Sequence, residues 1–348
     1  MHRLCREKLA VHGHFAHLRV AASRDVTDAH GGLTTSGSPV DDRTVEIVSR
    51  AQLESSLADL CTVVSDAREG ILGPRSVAWQ LGGDLALFLG GGRAALLQLA
   101  HPMVAYAIDQ HSRTRTDVVG RFQRTFRHVF AMVFGELDDA LIAARRVHAI
   151  HSRIEGEVDG VRYHANHVHA LRWVHATLVD TTLVVRERLD GPLPIALKDR
   201  YVIEMNRFAA LFGIPRALLP GTYAAHARYM EGMLASEQLV VTPCAREMAK
   251  FLIGRGGPAQ PALGRVTEAI TASLLPAALS DAFGLRRSAV TNLGLRGFGV
   301  VHRLVPRTLV AIPAHSDARR RLAGKPPSRI AAWTERQLFD LAHRATGT

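Results

Sequence analysis

His148 and His151 stand one helical turn apart in "RRVHAIHSRIEG", residues 145–156, and nine of the chain's 18 histidines fall between His101 and His175. Imidazole is the side chain best suited to general acid–base work near neutrality and to ligating a transition metal or haem iron. At about 100° per residue, Leu137, Ala140, Ala143, Ala144, Val147, Ile150 and Ile154 form one apolar arc. His151 lies within that arc and His148 at its edge. Two readings of His151 stand side by side. One is a core histidine whose ring nitrogens meet a carbonyl and a water; the other is an axial ligand of haem iron, its second nitrogen fixed by a neighbouring acceptor.

Other residues could do chemistry too. "VHALRWVHATLVDTTLVV", residues 168–185, is apolar almost all round and predicts a central helix carrying a buried imidazole, His175, the reserve ligand. In "YHANHVH", His164, His167 and His169 could reach one metal ion from an extended or hairpin segment, as in a metallohydrolase. No adjacent Asp, Glu or Cys completes a familiar cage there, and HExxH is absent. Arg121, Arg124, Thr125 and His128 share one face of a helix whose other face holds Phe122, Phe126, Val129, Phe130 and Val133. That polar stripe reads either as a solvated surface or as a wall of donors facing bound oxygen. "LGGGRAALLQLAHP" opens a helix with glycines and could take an anion. It lacks GxGxxG, a preceding strand and a suitably placed acid, so it is a poor dinucleotide site.

The elements that must position these groups are helices. Hydrophobic residues make up 47 % of the 348-residue chain and aromatics only 6 %, with Ala, Leu and Val dominant, which suits packed helices better than sheets. Punctuation at 73–76, 90–92, 101–102, 134–136, 155–160, 190–194, 212–215 and 219–222 separates helix-length pieces, and no run alternates convincingly with period two. The expected fold is all-α, a helical bundle in one domain over residues 46–348. Residues 1–45, rich in Gly, Ser, Thr and Asp, read as a loosely ordered extension.

The formal charge of +11 rests on 39 Arg against four Lys. Because Arg is spread over nearly every segment beside Asp and Glu, no nucleic-acid-binding face is expected. Cys5, Cys61 and Cys244 form no CxxC pair, and the N-terminus lacks the apolar run of a secretory signal, so a reducing, cytoplasmic setting is the expectation. The most apolar stretch, residues 85–108, is broken by Gly90, Gly91, Gly92, Arg93 and Pro102, which argues against a membrane span.

The segments "GPRSVAWQLGGDLALFLGGGRAALLQLAHPMVA", "GRFQRT", "RVHAIHSRIEG", "WVHATLVDT" and "MLASEQLVVTPCAREMAKFL" resemble the MpaB oxygenase family, which shares its catalytic domain with the latex clearing proteins, the rubber oxygenases. The resemblance runs from about Gly73 to about Leu252 and more faintly to "RRRLAG". It implies a globin-like helical core binding one haem b, with dioxygen inserted across a carbon–carbon double bond of an apolar, isoprenoid-type substrate. The family's proximal histidine falls on His151, and its distal Arg-x-x-Lys-Thr pattern falls on Arg121, Arg124 and Thr125. Arg124 departs from the pattern, since a guanidinium stays cationic and cannot act as a neutral iron ligand. The stretch from Gln98 to Arg121 also lacks the family's catalytic Glu, offering Gln98, His101, Asp109, Gln110 and His111. A haem-binding carrier or sensor without turnover is the alternative from another class, and the metallohydrolase is the third.

Overall fold

In the computed structural model, residues 47–112, 118–253 and 261–328 are described, together with 337 and 340. The expected extension over residues 1–45 lies outside them.

Helices follow one another along the chain: α1 (Arg50–Val63), α2 (Val77–Gly82), α3 (Gly91–Leu99), α4 (Pro102–His111), α5 (Val118–Phe134), α6 (Leu137–His151), α7 (Val168–Asp190), α8 (Ile195–Ala210), α9 (Tyr223–Ala235), α10 (Pro243–Leu252), α11 (Pro261–Leu274), α12 (Ala277–Ala282), α13 (Ala289–Leu304) and α14 (Pro313–Leu322). The fold is all-α, as the composition predicts. The exception among the described residues is an antiparallel hairpin, β1 (Glu155–Val158) and β2 (Val161–His164), pairing Glu155 with His164 and Val158 with Val161. Its turn has positive φ at Asp159 (53°) and Gly160 (77°), the geometry of a tight two-residue hairpin. "DG" is the sequence signal for that turn, whereas period two is unreadable in four-residue strands containing Gly156 and Glu157.

Helix starts are capped where the sequence supplies an oxygen. Ser49 and Gln52 form a capping box on α1, and Ser76, Thr222 and Thr242 accept backbone N–H groups at the starts of α2, α9 and α10. The expected central helix is α7, which contributes to all three apolar clusters. Val168, Leu171, Val179 and Leu183 pack with α1, α5, α6 and α8; Trp173 and Ala176 with α3, α4 and α10; Val185 and Leu189 with Leu274 and Leu295. Trp173 is fully buried and its indole donates to Leu97 O at 2.9 Å, so its one polar atom is satisfied.

The glycine run before α3 serves packing. A Cβ at Gly90 would lie 2.5 Å from Thr181 Cγ2, and one at Gly92 would lie 2.1 Å from Thr271 Oγ1. Only hydrogen at these positions lets the start of α3 approach α7 and α11. Among the described residues, no helix is long and apolar enough to cross a membrane.

Candidate functional site

Helices α5 and α6 are joined by only Gly135 and Glu136 and pack against each other, an αα-hairpin. The antiparallel arrangement brings the start of α5, which carries Arg121, Arg124 and Thr125, alongside the end of α6, which carries His148 and His151. Leu137, Ala140, Ala143, Ala144 and Val147 pack inward as the periodicity predicts. Two members of the expected arc do not. Ile150 is 50 % exposed, and Ile154 lies beyond the helix, which ends at His151. The departure is physical, because Ser152 and Arg153 turn the chain into the hairpin and leave the last turn without a partner on that side.

The two histidines of that last turn differ in their partners. His148 Nε2 bonds the carbonyl of Val48 at 2.9 Å. Val48 N–H in turn donates to Asn166 O at 2.9 Å, so the segment entering α1 is tied to the segment entering α7. Asn166, 2 % exposed, gives its amide hydrogens to His148 O (3.2 Å) and Ser152 Oγ (3.1 Å). Its remaining group, the carbonyl oxygen, is the acceptor on this side of the cluster, and Asn166 works against the lowering of the His151 imidazole. His151 Nδ1 is buried and has no partner.

Burial pushes the His151 imidazole down to about 4, with the charges of His148 and His164 adding to the effect and the neighbouring Asn166 opposing it. Desolvation thus outweighs the helix C-terminus, which alone would favour the cation. A neutral ring that keeps a buried, unpartnered nitrogen has the donor a metal-ligating imidazole needs.

The side chain of Arg121 lies outside the described residues. Arg124 and Thr125 are exposed, and His128 is half-buried, its imidazole lowered by burial and then by Arg146 and Arg127. The sensitivity of His128 on α5 to Arg146 on α6 reports how closely the two helices run.

His175 is fully buried, and desolvation followed by the nearby His226 pushes it down to about 3. Its ring stacks on Phe208 with centroids 6.3 Å apart, and Nδ1 has no partner. Near it lies a polar cluster the sequence did not reveal. Arg93 donates to Asp180 (2.6 Å), Thr181 (2.8 Å) and the carbonyl of Leu274 (2.8 Å), while His226 Nε2 stops 3.7 Å from Asp180, beyond hydrogen-bonding range. The histidines of "YHANHVH" do not converge on a metal-binding group. His164 Nδ1 accepts from Asn166 N–H at 2.9 Å, the His167 and His169 ring centroids are 5.7 Å apart, and no three metal-ligating side chains gather among the described residues. His101, buried beside His167 and His169, is lowered to about 4, chiefly by desolvation. A cavity of about 430 Å³ lies between Phe130 and Phe134 of α5 and Ala314, Ala318 and Arg321 of α14, toward the other end of α5 from Arg121.

Residues 79–304 match the family described as "ER-bound oxygenase mpaB/B'/Rubber oxygenase, catalytic domain". No curated protein and no solved structure matches the chain.

Proposed function

The chain belongs to the family of mpaB-type and rubber oxygenases through their catalytic domain, and from that premise we propose that it is a haem b-dependent oxygenase that cleaves a carbon–carbon double bond of an apolar, isoprenoid-type substrate. Membership makes it an oxygenase-type oxidoreductase. The haem, the alkene and the roles of individual residues belong to the proposal.

The observation that carries it is the His151 ring, neutral because its imidazole falls to about 4, with a buried nitrogen, Nδ1, left without a partner. His151 would hold the iron. When bound, haem supplies the activation of dioxygen that no side chain provides, and both oxygen atoms end in the two carbonyl products. Asn166, bonded to His148, Ser152 and His164, would fix the segment beside the imidazole. Arg121, Arg124 and Thr125, brought alongside the end of α6 by the α5–α6 hairpin, would donate hydrogen bonds where negative charge develops on oxygen. Arg124 acts as a fixed cation here and not as an exchangeable ligand. The apolar surface of α7 excludes water, and His175 is the reserve ligand.

The test is the absorption spectrum of the purified protein together with its iron content. His151→Ala should lose the haem, or keep a haem whose spectrum added imidazole restores, while His148→Ala keeps the wild-type spectrum. If His175→Ala loses the haem and His151→Ala does not, the ligand assignment is overturned. A haem spectrum without oxygen consumption in the presence of polyisoprene or squalene would favour the carrier or sensor.

A further inference from the structure

Helix α13 turns an apolar face outward. Its packed side is narrow, with Leu295, Gly299 and His302 against α7 and α11, and Gly299 so close that a Cβ would lie 2.5 Å from Leu189 O. At about 100° per residue the opposite side of the helix gathers Val290, Leu293, Val300, Val301 and Leu304. All five are exposed, Val290 at 78 %, Leu293 at 71 % and Leu304 at 81 %. Gly294 and Gly297 lie on the same side with nothing within 4 Å of a Cβ, so the face is open along its length. Isolated exposed apolar residues are ordinary, but a contiguous helical face of them marks a surface that is covered in use.

The charge around the face identifies what covers it. Arg296 and Arg303 lie along one flank of the helix and Arg286, Arg287 and Arg307 in the segments at its two ends, and no Asp or Glu occurs between Asp281 and Asp317. Arg303 gives one bond to Leu189 O and Arg307 one to the buried Asp84, yet the Arg307 side chain stays 62 % exposed. Two copies meeting through this face would bring ten arginines together without one carboxylate from the segment to offset them. An anionic lipid surface meets both demands at once, taking the apolar side chains below its headgroups and placing phosphates beside the guanidinium groups. At 16 residues, with Asn292, three interior glycines and two arginines, α13 is suited to lie on a bilayer and not to cross it.

We propose that α13 is a membrane-docking helix that seats the enzyme flat on an anionic bilayer. This does not depend on haem, since the face and its rim would bind lipid whatever the cofactor.

The experiment is flotation of the full chain with vesicles of phosphatidylcholine alone and of phosphatidylcholine mixed with phosphatidylserine. Flotation is expected with the mixed vesicles, weakening as salt is raised. Leu293→Asp combined with Leu304→Asp should weaken it at least about tenfold, and Arg287→Gln and Arg296→Gln by about fivefold each. These side chains are exposed, so an unchanged far-ultraviolet spectrum and melting temperature should accompany each variant. The proposal is overturned if the chain does not float, if it floats equally without phosphatidylserine, or if the double aspartate variant floats like the parent. It is equally overturned if the parent is a dimer that Leu304→Asp dissociates while vesicles are ignored, or if binding appears only once residues 329–348 are removed, which would make that segment the natural cover.

Discussion

Asp84 and His151 are both polar groups in largely apolar surroundings, and the protein treats them in opposite ways. Asp84 is saturated. Its Oδ1 accepts from Ala86 N–H (2.9 Å) and His302 (3.0 Å), and its Oδ2 accepts from Arg186 (2.7 Å) and Arg307 (3.1 Å). Burial alone would raise its carboxyl, but the Ala86 N–H, Arg186 and His302 together hold it below the usual carboxylate range. His151 is left unsaturated, its Nδ1 buried without a partner. A buried group whose every lone pair is used is a staple, whereas one that keeps a lone pair in a dry place has free energy left for something that binds there. Asp180 lies between these extremes, bonded by Arg93 but out of reach of His226 Nε2.

The largest expected effect comes from breaking the staple. Asp84→Ala takes the acceptor from the buried His302 and leaves Arg186 with Asp190 alone beside a cavity, and it should cost about 3–5 kcal/mol of stability, read from urea melts. A loss below about 1 kcal/mol would remove Asp84 from the structural class. His151→Ala should cost less, about 1–2 kcal/mol, since no ion pair is lost with the ring, yet it should be the variant that empties the protein of cofactor. The contrast fails if the two variants lose stability and haem in parallel.

Acid sharpens the comparison further. His101, His151 and His315 are lowered from 6.5 to about 4 and His175 to about 3, each chiefly by burial. Between those values and 6.5 the unfolded chain binds protons that the folded chain refuses, so stability is full above about pH 6.5 and falls as pH drops toward 4. Asp84, whose folded value is below 3.8, keeps its contribution across that window and loses it only at lower pH. Urea melts across pH should therefore show a decline that starts near 6.5, and a flat profile down to pH 4 would contradict the imidazole values. His148→Ala, which removes one bond to Val48, should cost about 1 kcal/mol with no spectral change. Deleting residues 1–45, which lack an apolar periodic face, should leave the melt unchanged.

Legibility in the sequence followed how local each determinant is. Helix α7 declares itself by an unbroken apolar surface, and the inward face of α6 by its spacing. His151 was readable as a candidate because its own helix carries the apolar spacing. Asn166 was not, because its importance lies in four hydrogen bonds spread over residues 48, 148, 152 and 164, and no periodicity encodes such a convergence. The same holds for Arg93, whose partners Asp180 and Thr181 are 87 and 88 residues away. The glycines before α3 suggested an anion site while their reason, the approach of Thr181 and Thr271, lies on other helices.

The knot at Asp84 also sets an order of assembly during synthesis. Its partners follow it by 102, 218 and 223 residues. At a ribosomal pace of about 5–20 residues per second, Arg307 emerges roughly ten to forty-five seconds after Asp84. Until then the carboxylate has Arg186 at most, and a chain that stalls before His302 cannot bury it without loss. Completion of the C-terminal third is thus the event that licenses the first third to close, and nascent chains truncated between residues 190 and 300 should be the ones chaperones and proteases find open.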